Sequence, residues 1–291
     1  MDAPKSQQPR AKSQEPGANG RRIKLVLEYD GTDFNGWQLQ SGREPGEGAE
    51  QPVRTVQGAV EAALKKATGA DIRIAGASRT DAGVHARGQT ASFLLPGEIA
   101  IPTAEICQAL NGNMNKDVTA LSAEEMPFDF HAQRDATGKV YTYSMLSRRE
   151  RPALLRRTHW HVRFALDPAA MRQAAAALVG THDFTSFATR LKETQAIRAE
   201  EGKAALETVR TLRSIDIDVG PDADCPGRIV LRIEGSGFLY QMVRTIAGSL
   251  VDVGRGFRPP QWMAEALAAR DRRQAGPTAP AHGLCLECVK Y

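Results

Sequence analysis

The sequence predicts an α+β fold in which a mixed, mainly antiparallel sheet carries helices on one face. Three observations predict it. Strand-like and helix-like stretches succeed one another in the order βαββαβ, and then do so a second time. Several of the strand-like stretches alternate apolar and polar residues, as strands with one buried face do. A chain of 291 residues can bury a sizeable core, and its length suits one large domain or two similar halves.

Residues 1–20 form a polar tail rich in Lys, Gln, Pro and Gly, without periodicity, and are expected to be disordered. Residues 23–29 alternate as a strand does. Residues 40–53 are rich in Gly and Glu and read as a flexible loop. Val56, Ala59, Val60, Ala63 and Leu64 then recur at helical spacing, with Thr55 placed to cap the helix. An apolar strand at 72–75, a loop and an alternating strand at 89–95 follow. Pro102 and Thr103 open a short helix that runs through Leu110, and 118–123 reads as a strand. These elements complete one βαββαβ unit, the ferredoxin-like order, within residues 21–130.

Residues 131–291 give the order again. Strands are expected at 139–146, 208–219, 228–234 and 284–291, an alanine-rich helix at 168–179 and a mostly apolar helix at 238–253. No sequence repeat accompanies the duplication, which rests on element order alone. Two ferredoxin-like halves side by side make one sheet, with helices on one face and a central cleft.

Composition excludes several classes. With 42% hydrophobic and 25% charged residues the chain is expected to be globular and soluble. No apolar run is long enough to span a bilayer, and the N-terminus lacks the apolar centre of a signal peptide, so a cytoplasmic location is expected. A net charge of +4 is too mild to announce a nucleic-acid partner; clustering must carry that argument. The four cysteines, Cys107, Cys225, Cys285 and Cys288, suit a reducing compartment. Cys285 and Cys288 form a C-x-x-C, but no second pair completes a zinc site, and structural thiols in a closing strand are expected.

The most informative stretch is Gly76-Ala77-Ser78-Arg79-Thr80-Asp81-Ala82-Gly83-Val84-His85-Ala86-Arg87-Gly88-Gln89, a loop between two strands with a carboxylate in its middle. If the loop is extended, Arg79 and Asp81 leave the same side of the backbone, and the guanidinium keeps the carboxylate ionised, as a nucleophile requires. Alternatively, Asp-Ala-Gly is a turn in which the Asp bonds its own backbone. Arg244 lies within an apolar helix, where it either meets an anion or snorkels to solvent. Gly235-Ser236-Gly237 can bring backbone amides to a phosphate or simply end a strand. Tyr141 and Tyr143 share one strand face, ordinarily a core feature. Arg148, Arg149, Arg151, Arg156, Arg157 and Arg163, interleaved with His159, Trp160 and His161, form the densest basic stretch and suit a phosphate-contacting loop. His85 and Arg87 are expected to extend that surface into the cleft. Asp30 and Asp33 are not part of any cluster with metal-ligand spacing, and no metal or cofactor is expected.

The loop, taken whole, resembles the signature of the TruA family of tRNA pseudouridine synthases. Further matching stretches are Tyr29-Asp30-Gly31-Thr32-Asp33-Phe34-Asn35-Gly36-Trp37-Gln38, Thr55-Val56-Gln57-Gly58, Lys139-Val140-Tyr141-Thr142-Tyr143, Gly235 through Arg244, and Ala279-Pro280-Ala281-His282-Gly283-Leu284. The family usually has Gly at Ser78 and Arg at Lys139. The resemblance implies the two-half fold and isomerisation of uridine to pseudouridine in the tRNA anticodon arm, at positions 38, 39 and 40 of tRNA numbering. It implies Asp81 as the catalytic carboxylate with Arg244 beside it, Tyr141 as a base-stacking proton carrier, and a homodimer sharing tRNA. Within that expectation Arg79, Asp81, Tyr141 and Arg244 are the catalytic set. Tyr141, His85, Arg87, Arg148 and Arg149 bind substrate. A non-catalytic tRNA-remodelling protein with the same basic cleft is the alternative, and a nucleoside hydrolase releasing free uracil a third.

Overall fold

The computed structural model describes residues 20–39, 53–220 and 225–291. The expected tail, apart from Gly20, and residues 40–52 of the expected loop lie outside them.

Strand β1 (Gly20–Tyr29) buries Ile23, Leu25, Leu27 and Tyr29, every second residue, so one face enters the core. Helix α1 (Val56–Thr68) starts where Thr55 accepts from the Gly58 amide and ends at Gly69 in a left-handed conformation. Strand β2 (Ala75–Gly76) is followed by β3 (His85–Pro96), α2 (Ile106–Asn111) and β4 (Val118–Met126). The second run comprises β5 (Gly138–Ser147), β6 (Trp160–Val162), α3 (Pro168–Ala176), β7 (Gly180–Asp183), α4 (Leu191–Glu200), β8 (Val209–Val219), β9 (Arg228–Gly235), α5 (Met242–Gly254), α6 (Trp262–Ala269) and β10 (Leu284–Lys290).

All ten strands join one sheet in the order β4-β1-β3-β10-β5-β9-β8-β7, with β2 added to β3 and β6 to β5. The subsets β4-β1-β3-β2 and β10-β5-β9-β8 have the same relative order, which makes the two ferredoxin-like halves. They meet where β10 pairs in parallel with β3, Cys285 opposite His85 and Leu286 opposite Ala86. Helix α5 packs on β5, α3 on β8 and α2 on β4.

The length of β2 decides where the site falls. A strand was expected over 72–75, yet only Ala75 and Gly76 pair with β3, opposite Ser92 and Ala91. The rest of that edge of β3 is thereby left for β10. The chain leaving β2 must turn away at Ala77, and the loop 77–84 emerges at the junction of the halves.

Other departures have local causes. The helix expected from residue 238 begins at Met242, because Gln241 takes a left-handed conformation, φ 57°. The helix expected to run to 179 stops at Ala176, and the one after Pro102 opens as a 3-10 turn before α2. Helices α4 and α6 and strands β6 and β7 carry little sequence signal. Helix α4 buries no residue, so it shows no apolar stripe, and the two strands are too short to alternate. Strand β3 is buried on both faces: the 127–137 connection crosses it, and Ser92 Oγ accepts from the Ala132 amide at 3.0 Å.

Candidate active site

Buried polar groups fix the loop 77–84. Gln89, fully buried, accepts from the Ser78 amide and donates to the Ser78 carbonyl, spanning both backbone groups of one residue. Tyr29 OH lies 2.7 Å from Thr80 Oγ1, and the Trp37 amide donates to the Thr80 carbonyl. Gly76 has to be glycine, since a Cβ there would collide with the Trp37 indole. Gly36 has φ 89°, and a Cβ on it would press on the Thr80 carbonyl oxygen at 2.6 Å.

Asp81 lies in a turn, its carbonyl accepting from the Val84 amide, but its side chain faces a cavity of about 860 Å³. Oδ2 accepts from Arg244 Nη1 at 2.9 Å, with both side chains only 14% exposed. Arg244 is the single residue of α5 that the core does not bury, and its Nε donates to the Ala279 carbonyl at 2.8 Å. Of the two readings of Arg244, the one that meets an anion holds. Burial raises the Asp81 carboxyl above its ordinary value, while Arg244 and then Arg190 pull it down. Removal from water thus outweighs the two arginines in the direction of the shift.

Arg79 was expected to be the partner of Asp81. It is exposed, lines the cavity and makes no bond to the carboxylate. The loop is turned here, so the alternation that would place the two side chains together does not apply. Arg190 takes up the second cationic position instead. It precedes α4 at φ 54°, a conformation unusual for a residue with a Cβ, and its guanidinium stands 5.6 Å from the centre of the Tyr240 ring. The equally left-handed Gln241 is tied to the same turn, for Thr189 donates to its side chain and to the Tyr240 carbonyl. Two strained residues, fastened together, thus flank the cavity.

Tyr141 forms part of the wall, edge-on to Phe238 at 5.2 Å, and its hydroxyl lies 2.8 Å from Ser78 Oγ. Ser78 adopts no positive φ, so the backbone tolerates it, and its hydroxyl gives Tyr141 a partner. Burial pushes the Tyr141 phenol up to about 12, and the phenol is therefore neutral near pH 7. Tyr143, two residues on, is fully buried and donates to the Pro280 carbonyl.

The remaining expected residues lie elsewhere. His85 is buried: its Nδ1 accepts from the Gly31 amide at 3.1 Å, and its Nε2 faces the carbonyls of Arg157 and His282. The neutral Nε2–H tautomer satisfies these contacts. Asp30 also comes within 3.1 Å of Nδ1, but an atom accepting from Gly31 has no proton for it. His85 is not among the residues that line the cavity. Arg87 is exposed and paired with Glu287 at 3.1 Å. Arg148 and Arg149 lie outside the cavity, as do the other arginines of the dense run. The aromatics of that run face inward: Trp160 packs edge-on against Tyr143, and burial drives the His159 imidazole down to about 4.

Sequence reasoning missed the cavity's own cations as a group. Arg79, Lys139, Arg190, Arg198 and Arg210 line it against two acids, Asp81 and Glu193. Arg190 and Arg198 come from around α4, which has no apolar period to reveal it. Among the described residues no three His, Cys, Asp or Glu side chains converge to hold a metal ion. Cys285 and Cys288 are free thiols on either side of an irregularity in the β10 ladder.

The comparison with known proteins bears on this geometry. The sequence matches a family model described as tRNA pseudouridine synthase over residues 25–134 and 174–291. The chain belongs to the tRNA pseudouridine synthase family. It is 43% identical over 270 residues to tRNA pseudouridine synthase A of Myxococcus xanthus, covering 93% of this chain and 92% of that one. It is 42% identical over 269 residues to tRNA pseudouridine synthase A of Syntrophotalea carbinolica, covering 92% and 96%. To tRNA pseudouridine synthase A 2 of Clostridium perfringens it is 39% identical over 272 residues, covering 93% and 100%. Within this synthase fold, Asp81, Arg244 and Tyr141 come from a loop of the first half and two elements of the second. No helix among the described residues is long and apolar enough to cross a membrane.

Proposed function

We propose that this chain isomerises uridine to pseudouridine in the anticodon arm of tRNA, at positions 38, 39 and 40, with Asp81 as the catalytic carboxylate. The observation that carries the reading is the Asp81–Arg244 pair at 2.9 Å, opening into a cationic cavity walled by Tyr141. The target uridine leaves its stack, at a cost of a few kcal/mol, offset by phosphate contacts and by the face of Tyr141. Asp81 then attacks C1′, or removes the 2′ proton to give a glycal, as the N1–C1′ bond breaks. The ribose develops cationic character beside a carboxylate, the physics glycosidases use. The detached uracil turns and C5 bonds to C1′, which expels the Asp81 carboxylate from C1′ or, on the glycal route, goes with return of the 2′ proton; the C5 proton then leaves and N1 ends protonated. Atoms and electrons balance without ATP or a redox partner.

Arg244 fixes the carboxylate rotamer through its second anchor on Ala279. A neutral phenol is a weak base, so Tyr141 takes the C5 proton only as it gives up its own to solvent in the open cavity, while Ser78 Oγ holds the hydroxyl in place. Arg79 reaches the RNA from the cavity rim. Arg87, Arg148 and Arg149 hold phosphates farther out, and His85 acts by positioning the loop. We place the protein in the cytoplasm as a homodimer sharing one tRNA. The test is release of tritium from 5-tritiated uridine in tRNA: Asp81→Asn protein is expected to release none. Continued release would overturn the assignment, and a wild-type protein that binds tRNA without release would point to the remodelling alternative.

A further inference from the structure

Lys139 is one of the cavity cations that the proposed chemistry leaves unused. It stands on β5 two residues before Tyr141, so both side chains leave the same face of the strand. Both line the cavity. Among the described residues its ammonium has neither a hydrogen-bond acceptor nor a carboxylate at ion-pairing distance. The charged group that acts on it is another cation, Arg210 of β8. Arg210 lines the same cavity and spends only Nη1 on protein, donating to the carbonyls of Glu207 and Val209. Glu207 acts on it electrostatically without forming an ion pair. Gly237 abuts the Arg210 stem.

Two half-buried cations that line one cavity without an ion-paired acid repel each other and lose hydration. Burial, then Arg210, pushes the Lys139 ammonium down to about 8, and burial lowers the Arg210 guanidinium too. An arrangement that costs the fold stability points to an anion that completes it. Position along the strand narrows the choice. Arg244 and Tyr143 donate to the adjacent carbonyls of Ala279 and Pro280, so the Asp81–Arg244 pair lies toward the Tyr143 end of the Lys139-Tyr141-Tyr143 row. A nucleotide with its ribose at Asp81 and its base against Tyr141 therefore directs another part toward Lys139. A single uracil carbonyl has no need of two full charges, whereas a phosphodiester oxygen pair matches them.

We propose that Lys139 and Arg210 form a seat for one phosphodiester of the RNA next to the extruded uridine. The inference rests on the proposed function for the identity of the ligand. The experiment is a methylphosphonate scan of an anticodon-arm RNA: each phosphate flanking the target is neutralised in turn and binding is measured to wild type, Lys139→Met, Lys139→Arg and Arg210→Gln. Wild type should lose about tenfold in affinity at one position. Lys139→Met and Arg210→Gln should bind unmodified RNA about tenfold more weakly and show no further loss at that position. Lys139→Arg, still charged, should keep the wild-type pattern. Thermal melting of each variant checks folding. A Lys139→Met scan that matches wild type, or undiminished affinity for unmodified RNA, overturns the seat. Because the scan reads binding alone, it judges the seat separately from the isomerase assignment, which fails instead if wild-type protein forms no pseudouridine.

Discussion

Two basic regions differ in how they are built. The run 148–163 holds six arginines close together in sequence, yet its aromatics turn inward and none of the arginines reaches the cavity. The cavity draws Arg79 from a loop, Lys139 from β5, Arg190 and Arg198 from the start and end of α4 and Arg210 from β8, and no two are neighbours in the chain. Charge density along a sequence marks a solvated surface able to attract a polyanion. Convergence of charges from distant elements, beside a carboxylate that burial strains, marks a site. The first region should govern how strongly RNA is held and the second what happens to it.

The largest effect expected from this contrast is at Arg244. Arg244→Gln removes the bond that fixes Asp81 and leaves a half-buried carboxylate without its nearest cation, and single-turnover pseudouridine formation should fall by about 10²–10³-fold. The Asp81 carboxyl should rise further, so the acid limb of the variant's rate profile should move to higher pH. An unshifted limb would break the link between the two residues. In wild type the limb should already lie above the range of an ordinary aspartate, since burial raises the Asp81 carboxyl.

A smaller effect, opposite in sign for stability and activity, is expected at Lys139. Its folded pKa of about 8 lies below the ordinary 10.5, so below pH 8 the charged ammonium penalises the fold in full. The penalty fades as pH rises from 8 to 10.5, because the unfolded chain binds the proton more tightly there. Lys139→Met should therefore be about 1–3 kcal/mol more stable than wild type at pH 7, measured by denaturant unfolding, with the gain shrinking toward pH 10.5. Loss of stability would show a packing role instead. The smallest effect is expected from Arg149, Arg151 and Arg156, all exposed. Replacing them with Gln should weaken tRNA binding severalfold and lower its salt slope by about 0.7–0.9 per lost phosphate contact, with the chemical step unchanged at saturating RNA. A reduced chemical rate would erase the distinction between the regions.

Much of the fold was legible because its strands alternate and its helices carry caps. Thr55 marks a helix start, and Ile23, Leu25 and Leu27 mark a one-sided strand. Helix α4 was not legible, since it packs no stripe into the core, and with it Arg190 and Arg198 went unseen. The start of α5 was misplaced because nothing about a glutamine announces a left-handed turn at 241. The Asp81–Arg244 contact joins residues 163 apart in the chain and could be expected only from resemblance, not from spacing. The Arg79–Asp81 pairing looked local and plausible, but it depended on an extended backbone, and buried hydrogen bonds from Gln89 and Tyr29 hold the loop turned. His85 illustrates the reverse error, a polar residue near a signature that serves the fold through the Gly31 amide.

The most direct test of the central claim measures, on the same preparation of Asp81→Asn protein, tRNA affinity and single-turnover pseudouridine formation. The side chain that sits against Arg244 is removed as a charge while the cavity's five cations remain. Binding within about twofold of wild type, with pseudouridine formation reduced by at least about 10³-fold, is the predicted result. Pseudouridine formed at close to the wild-type rate would contradict the account.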